Sequence, residues 1–174
     1  MYTGEPPGGG WGRPAASTVP VFPADVADAL AAAGWGPGYQ ADQAIGPWLE
    51  RCLAVRSHSG AVHRPVEAAL RALTRFGGVR VEPPGGFGFA LHPGPAIPDP
   101  GTLTRLADLL GSALFPLGRY HDGPADLAMD EAGRVFLLHP AGDFFVGGRM
   151  EDALANLVRG VDLLLVGADG TWCP

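Results

Sequence analysis

Apolar positions recur at two different periods along the chain, and the change of period divides it. Val26, Ala29, Leu30 and Ala33 follow helical spacing after Pro23, and Gly34 ends the run. The corner Gly34-Trp35-Gly36-Pro37-Gly38 combines residues that permit positive φ with one that fixes its own. A second helix is predicted from about Asp42 to Val55, with Ile45, Trp48, Leu49 and Cys52 inward. Val62, Val66, Leu70, Leu73 and Phe76 predict a third, in which Pro65 is tolerable only in the first turn and Gly77-Gly78 is the stop.

The period then shortens. Val79-Arg80-Val81-Glu82 alternates as a half-buried strand does, and Phe87 to Leu91 reads as its hairpin partner across Pro83-Pro84-Gly85-Gly86. Leu103, Leu106, Leu109 and Leu110 return to helical spacing. A meander follows: Phe115 to His121, Asp126 to Met129, Arg134 to Leu138, and Phe144 to Val146, separated by turn residues. A last helix spans about Met150 to Arg159, and the apolar Val161 to Gly167 reads as a strand or a buried tail. Helices followed by strands imply an α+β fold, a mostly antiparallel sheet with helices packed around it. Residues 1 to about 20, rich in Pro and Gly with little apolar content, predict a flexible tail, leaving 21–174 as a single domain.

Composition narrows the function. The 174 residues carry a formal charge of −6, and every cationic residue is Arg, a bias we read first as GC-rich coding. Without a basic footprint, nucleic acid and anionic lipid are poor direct ligands, whereas a basic partner is attracted. No apolar run is long enough to span a bilayer and no secretory leader is visible, so the expected location is the cytoplasm. Cys52 and Cys173 have no metal-like spacing to a third ligand and are expected to be unpaired thiols. His58, His63, His92, His121 and His139 scatter across different elements, so no metal or other cofactor is expected. Ser57 beside His58 and Ser112 lack the context of an exposed nucleophile, and no phosphate loop is present. Asp126 and Asp130 as a catalytic carboxylate pair compete with the commoner role of Asp in turns.

Five short stretches stand in order: Ala33 to Gly38, Phe76-Gly77-Gly78-Val79, Phe115-Pro116-Leu117-Gly118, Met129 to Phe136, and Asp152 to Gly160. Their order and spacing resemble the SUKH-3 immunity proteins of bacterial polymorphic toxin systems, over about Val21 to Gly160. The resemblance implies a SUKH-like α+β fold and a non-enzymatic role: binding and neutralising the catalytic domain of a cognate toxin, typically a nuclease or a nucleic-acid deaminase, often from actinobacteria. Tyr39 stands where the family usually has Arg after the corner, so no contact of that Arg carries over. More distant relatives imply the alternative of a scaffold that recruits host proteins. A small enzyme assembled from scattered His and Asp is a third reading, and it predicts a deep pocket with convergent polar groups.

The five stretches have plain structural accounts as corners, helix ends and a hairpin turn. The candidate partner-binding residues are therefore others. Asp122, Asp126, Asp130, Glu131 and Asp143 fall in or beside the meander's turns, where side chains are expected to face water. A negative patch there can enter the positive groove of a polynucleotide-handling enzyme as a phosphate mimic. Asp also simply supports turn geometry and solubility. Tyr39, Tyr120 and Phe145 are the accompanying aromatic anchors, with burial in the core as the competing role.

Overall fold

The computed structural model describes residues 21–41, 45–83, 87–91, 97–120 and 125–173. The sequence-predicted tail, Asp122, His92 and His121 lie outside them. The elements run α1 (Ala24–Ala32), α2 (Ile45–Ala54), α3 (Glu67–Phe76), β1 (Arg80–Val81), β2 (Phe89–Ala90) and α4 (Pro100–Leu110). Then come β3 (Leu114–Tyr120), β4 (Ala125–Asp130), β5 (Val135–His139), β6 (Gly142–Gly147), α5 (Met150–Arg159) and β7 (Leu164–Leu165). The seven strands form one antiparallel sheet in sequential order, β1 to β7, so the α+β architecture read from the sequence is the one observed.

The third helix starts later than its apolar spacing suggests. Val66 is extended, with φ −114° and ψ 122°, and helical geometry begins at Glu67. Pro65 disfavours helical backbone in the residue before it, and the chain ahead of it is tied back on itself. Arg56 bridges Val62, and the Ser57 amide donates to the Ala61 carbonyl at 2.9 Å. Residues 60–66 therefore form an extended approach to α3.

Alternation in the central strands sends side chains to both faces of the sheet, and both need cover. One face presents Phe115, Leu127, Met129, Val135, Leu137 and Val146, all buried in the main core. Helices α3 and α5 lie on it, and α1 packs against α5. Asn156 donates its side-chain N–H to the Val146 carbonyl at 2.7 Å, fixing α5 on β6. The Trp35 corner closes one end: its Nε1 donates to the Arg75 carbonyl at 3.0 Å and its ring stacks on Phe76 at 5.3 Å.

The opposite face presents Leu114, Ala128, Phe136 and Leu138 to Leu103 and Leu106 of α4. Asp99 caps that helix, accepting the Gly101 amide at 2.6 Å, with Pro100 in the first turn. The C-terminal segment completes the cover. β7 pairs with β6, and Trp172 stacks on Phe145 at 4.5 Å and meets Phe136 edge-on at 5.5 Å. In β3 the register shifts between Pro116 and Gly118, where a Cβ on Gly118 would lie 1.9 Å from the Ala90 carbonyl oxygen. Only glycine lets β2 close onto β3 at that point.

Cys52 is buried in the core, where desolvation pushes its thiol up to about 12, and Cys173 is exposed; both are free. Truncating Trp172 removes two ring contacts and the cover over Phe136. Trp172→Ala is expected to lose about 2 kcal/mol of stability. Urea unfolding followed by circular dichroism checks it, and a midpoint equal to that of the parent protein would show that the C-terminal segment is not part of the core.

Candidate partner-binding surface

The acidic residues chosen for their place in turns divide sharply once burial is known. Asp130, at 0% exposure, and Asp143, at 7%, correct the expectation that these side chains face water. Asp130 closes the β4–β5 hairpin. It accepts the Arg134 amide at 2.9 Å on Oδ1 and the Arg134 Nε at 2.6 Å on Oδ2, while the two residues also exchange a backbone bond of 3.0 Å. The Arg134 guanidinium in turn lies over the rings of Phe136 and Trp172, at 5.8 and 5.4 Å. A carboxylate so placed is tolerated because both of its oxygens are satisfied, Oδ1 by a backbone amide and Oδ2 by the guanidinium. Asp143, in β6, accepts from Arg105 of α4 at 2.7 Å and pins that helix to its face of the sheet.

Asp126 is intermediate. It stands opposite Arg119 across the β3–β4 ladder, 3.8 Å from Arg119 Nε, and burial raises its pKa while Arg119 opposes the shift. Glu131 faces water at the tip of the hairpin and accepts the Ala113 amide at 3.2 Å. The aromatic candidates follow the same division. Tyr39 is half-buried and donates its hydroxyl to the Gly77 carbonyl at 2.7 Å, so the residue that departs from the resembled pattern ties the corner to the end of α3. Tyr120 packs on the main core, burial raises its phenol pKa, and Phe87 meets its ring edge-on at 6.0 Å. Phe145 lies beneath Trp172. The structure thus brings Asp130, Asp143 and Phe145 together as supports of one sheet face rather than as a single exposed patch.

A different feature emerges beside Glu131. A groove of about 610 Å³ runs between residues 60–64 and α4, with Val62, Leu103 and Ala107 among its apolar walls. Arg64, Asp108 and Glu131 line it with charge. His63 forms part of its base: its Nε2–H donates to the Pro98 carbonyl at 2.9 Å, and its ring meets Phe115 edge-on. Burial lowers the His63 pKa, opposed by the bond to Pro98 and the charge of Asp99. The groove was not legible in the sequence, because its facing walls are far apart in the chain, Val62 and Leu103 standing 41 positions apart, and the helical reading of 62–66 hid one of them. Among the described residues no group of three or more His, Cys, Asp or Glu is placed to hold a metal ion. No described helix is long and apolar enough to cross a membrane.

The model of the SUKH-3 immunity protein family matches residues 22–160. The chain belongs to that family. The matched span takes in α1 through α5 and stops before β7 and Trp172, so the C-terminal cover of this SUKH-3 protein lies outside the matched region. No curated protein and no solved structure matches the chain.

Asp130 and Glu131 are neighbours with opposite surroundings, which makes them a matched pair for mutation. Asp130→Ala leaves Arg134 without its buried partner and is expected to cost about 3 kcal/mol; Glu131→Ala is expected to stay within about 0.5 kcal/mol of the parent protein. Equal unfolding midpoints for the two variants would refute the assignment of Asp130 as a scaffold residue.

His63 gives a pH signature. Its folded-state pKa is depressed, so the unfolded chain takes up a proton first as pH falls. Its contribution is present above about pH 6.5 and drains as the pH drops below that toward the folded value. His63→Gln should flatten the loss of stability between about pH 7 and 5, read as urea midpoints across that range; parallel curves for the two proteins would exclude the effect.

Proposed function

We propose that this SUKH-3 protein is a cytoplasmic, non-enzymatic immunity protein that binds the catalytic domain of a cognate toxin, a nuclease or a nucleic-acid deaminase, and blocks its active site or substrate channel. The observation that carries the reading is the match to an immunity-protein family across residues 22–160, nearly all of the helices and the sheet. The charge of −6 supports it, since an enzyme that handles polynucleotide presents a positive surface to which an acidic protein is drawn. Occlusion requires complementary shape and charge and no reacting group.

Within this reading the exposed carboxylates steer association, and Asp130 and Asp143 hold the surface in shape. Tyr120, Asp126 and Glu131 remain at or near the surface as candidate contacts, with Asp122 beside them in sequence. An interface of standard size buries about 1,600 Å² in total, and its association rate falls as salt rises.

The test uses the toxin domain encoded by the adjacent open reading frame, co-expressed with and without this protein. Restored growth together with a one-to-one complex on co-purification is the expected result. Failure of rescue with no complex overturns the toxin-binding reading and favours a host partner for a scaffold.

A further inference from the structure

We propose that the groove between residues 60–64 and α4 is the docking site for a basic segment of the toxin domain, an inference that rests on the toxin-binding reading above. The walls supply apolar contact through Val62, Leu103 and Ala107, and the volume of about 610 Å³ suits several partner side chains rather than one. Charge gives the groove a direction. Asp108 lies in the last turn of α4, and Ala113, just beyond that turn, donates its amide to Glu131, so chain connectivity gathers both carboxylates at the C-terminal end of the helix.

Nothing in the described chain neutralises that end. Asp25, Glu67, Glu82, Asp130, Asp143 and Asp152 each meet an arginine within the fold. Asp108 and Glu131 have no ion-pair partner among the described residues. The helix itself adds to the imbalance. α2, α3 and α5 carry Arg51, Arg75 and Arg159 in their last turns, where a cation offsets the negative end of the peptide dipoles. α4, like α1, has no basic residue there, and α4 has Asp108 in that turn instead. Partial charges of the helix end and two carboxylates therefore reinforce one another beside an apolar cleft. An Arg or Lys of the partner placed there supplies the missing cation, and Arg64, on the wall formed by residues 60–64, is available to a partner carboxylate or carbonyl.

The experiment measures binding of the toxin domain encoded by the adjacent open reading frame to the full-length protein, by surface plasmon resonance at several salt concentrations. Asp108→Lys with Glu131→Lys is expected to weaken binding about tenfold or more, chiefly through slower association with a flatter salt dependence. Asp28→Lys with Asp162→Lys, which changes net charge equally at positions that do not line the groove, is expected to change affinity less than about threefold. Thr104→Trp places bulk in the groove from an exposed position on α4 without altering charge and is expected to weaken binding through faster dissociation. Circular dichroism establishes that each variant is folded. Unchanged binding by both groove variants, while the parent protein binds, overturns the docking site and leaves the immunity reading standing. No binding by the parent protein overturns the immunity reading and the docking site with it.

Discussion

The central strands of this protein are apolar on both sides, and most of its architecture follows from having to keep both sides dry. In β4 and β5, Leu127, Met129, Val135 and Leu137 point one way while Ala128, Phe136 and Leu138 point the other. A single helical layer buries only half of that surface. The chain answers with α3 and α5 on one face and α4 with the Trp172 segment on the other. Directional contacts fasten the helices to the sheet, among them Asn156 to the Val146 carbonyl for α5, and Arg105 to Asp143 for α4. Apolar burial supplies the driving force without direction, and these bonds set where the helices sit.

The same constraint creates the groove. α4 covers the sheet beside β3, and the approach to α3 is held away from helical geometry by Pro65 and by the Ser57–Ala61 turn. Two elements that each pack on something else leave a cleft between them, with His63 at its base. Unlike the carboxylates that stitch the fold together, Asp108 and Glu131 border this cleft with no ion-pair partner among the described residues. A protein whose fold consumes most of its arginines in internal pairs leaves its remaining negative charge to act on whatever approaches.

The acidic residues also show why position in a turn is a poor guide to exposure. Asp130 and Glu131 are adjacent, yet one is fully buried and the other faces water. Asp130 is the last residue of β4 and Glu131 the first of the turn, and Arg134, four residues on, makes burial of the first tolerable by supplying two donors. No local signal separates an Asp that closes a hairpin over its own arginine from one that waits for a partner. The aromatic candidates divide for a similar reason: Phe145 is occupied by Trp172, a residue 27 positions later in the chain.

The sequence by itself determined the class of fold, because periods of 3.6 and 2 are properties of the backbone that any apolar stripe must respect. Met150 to Arg159, Leu103 to Leu110 and the strands of the meander were legible on that basis, and five short motifs in order carried the resemblance that the family match bears out. The tertiary structure alone decided which charges are spent and which remain. Burial of Asp130 and Asp143 depends on Arg134 and Arg105, and the latter reaches its partner across 38 residues. Whether Val62 to Val66 belonged to a helix depended on a bridge to Arg56 and not on its own spacing. Local pattern fixes what a segment can become, and the groove exists only where distant segments with no pattern in common come to lie side by side.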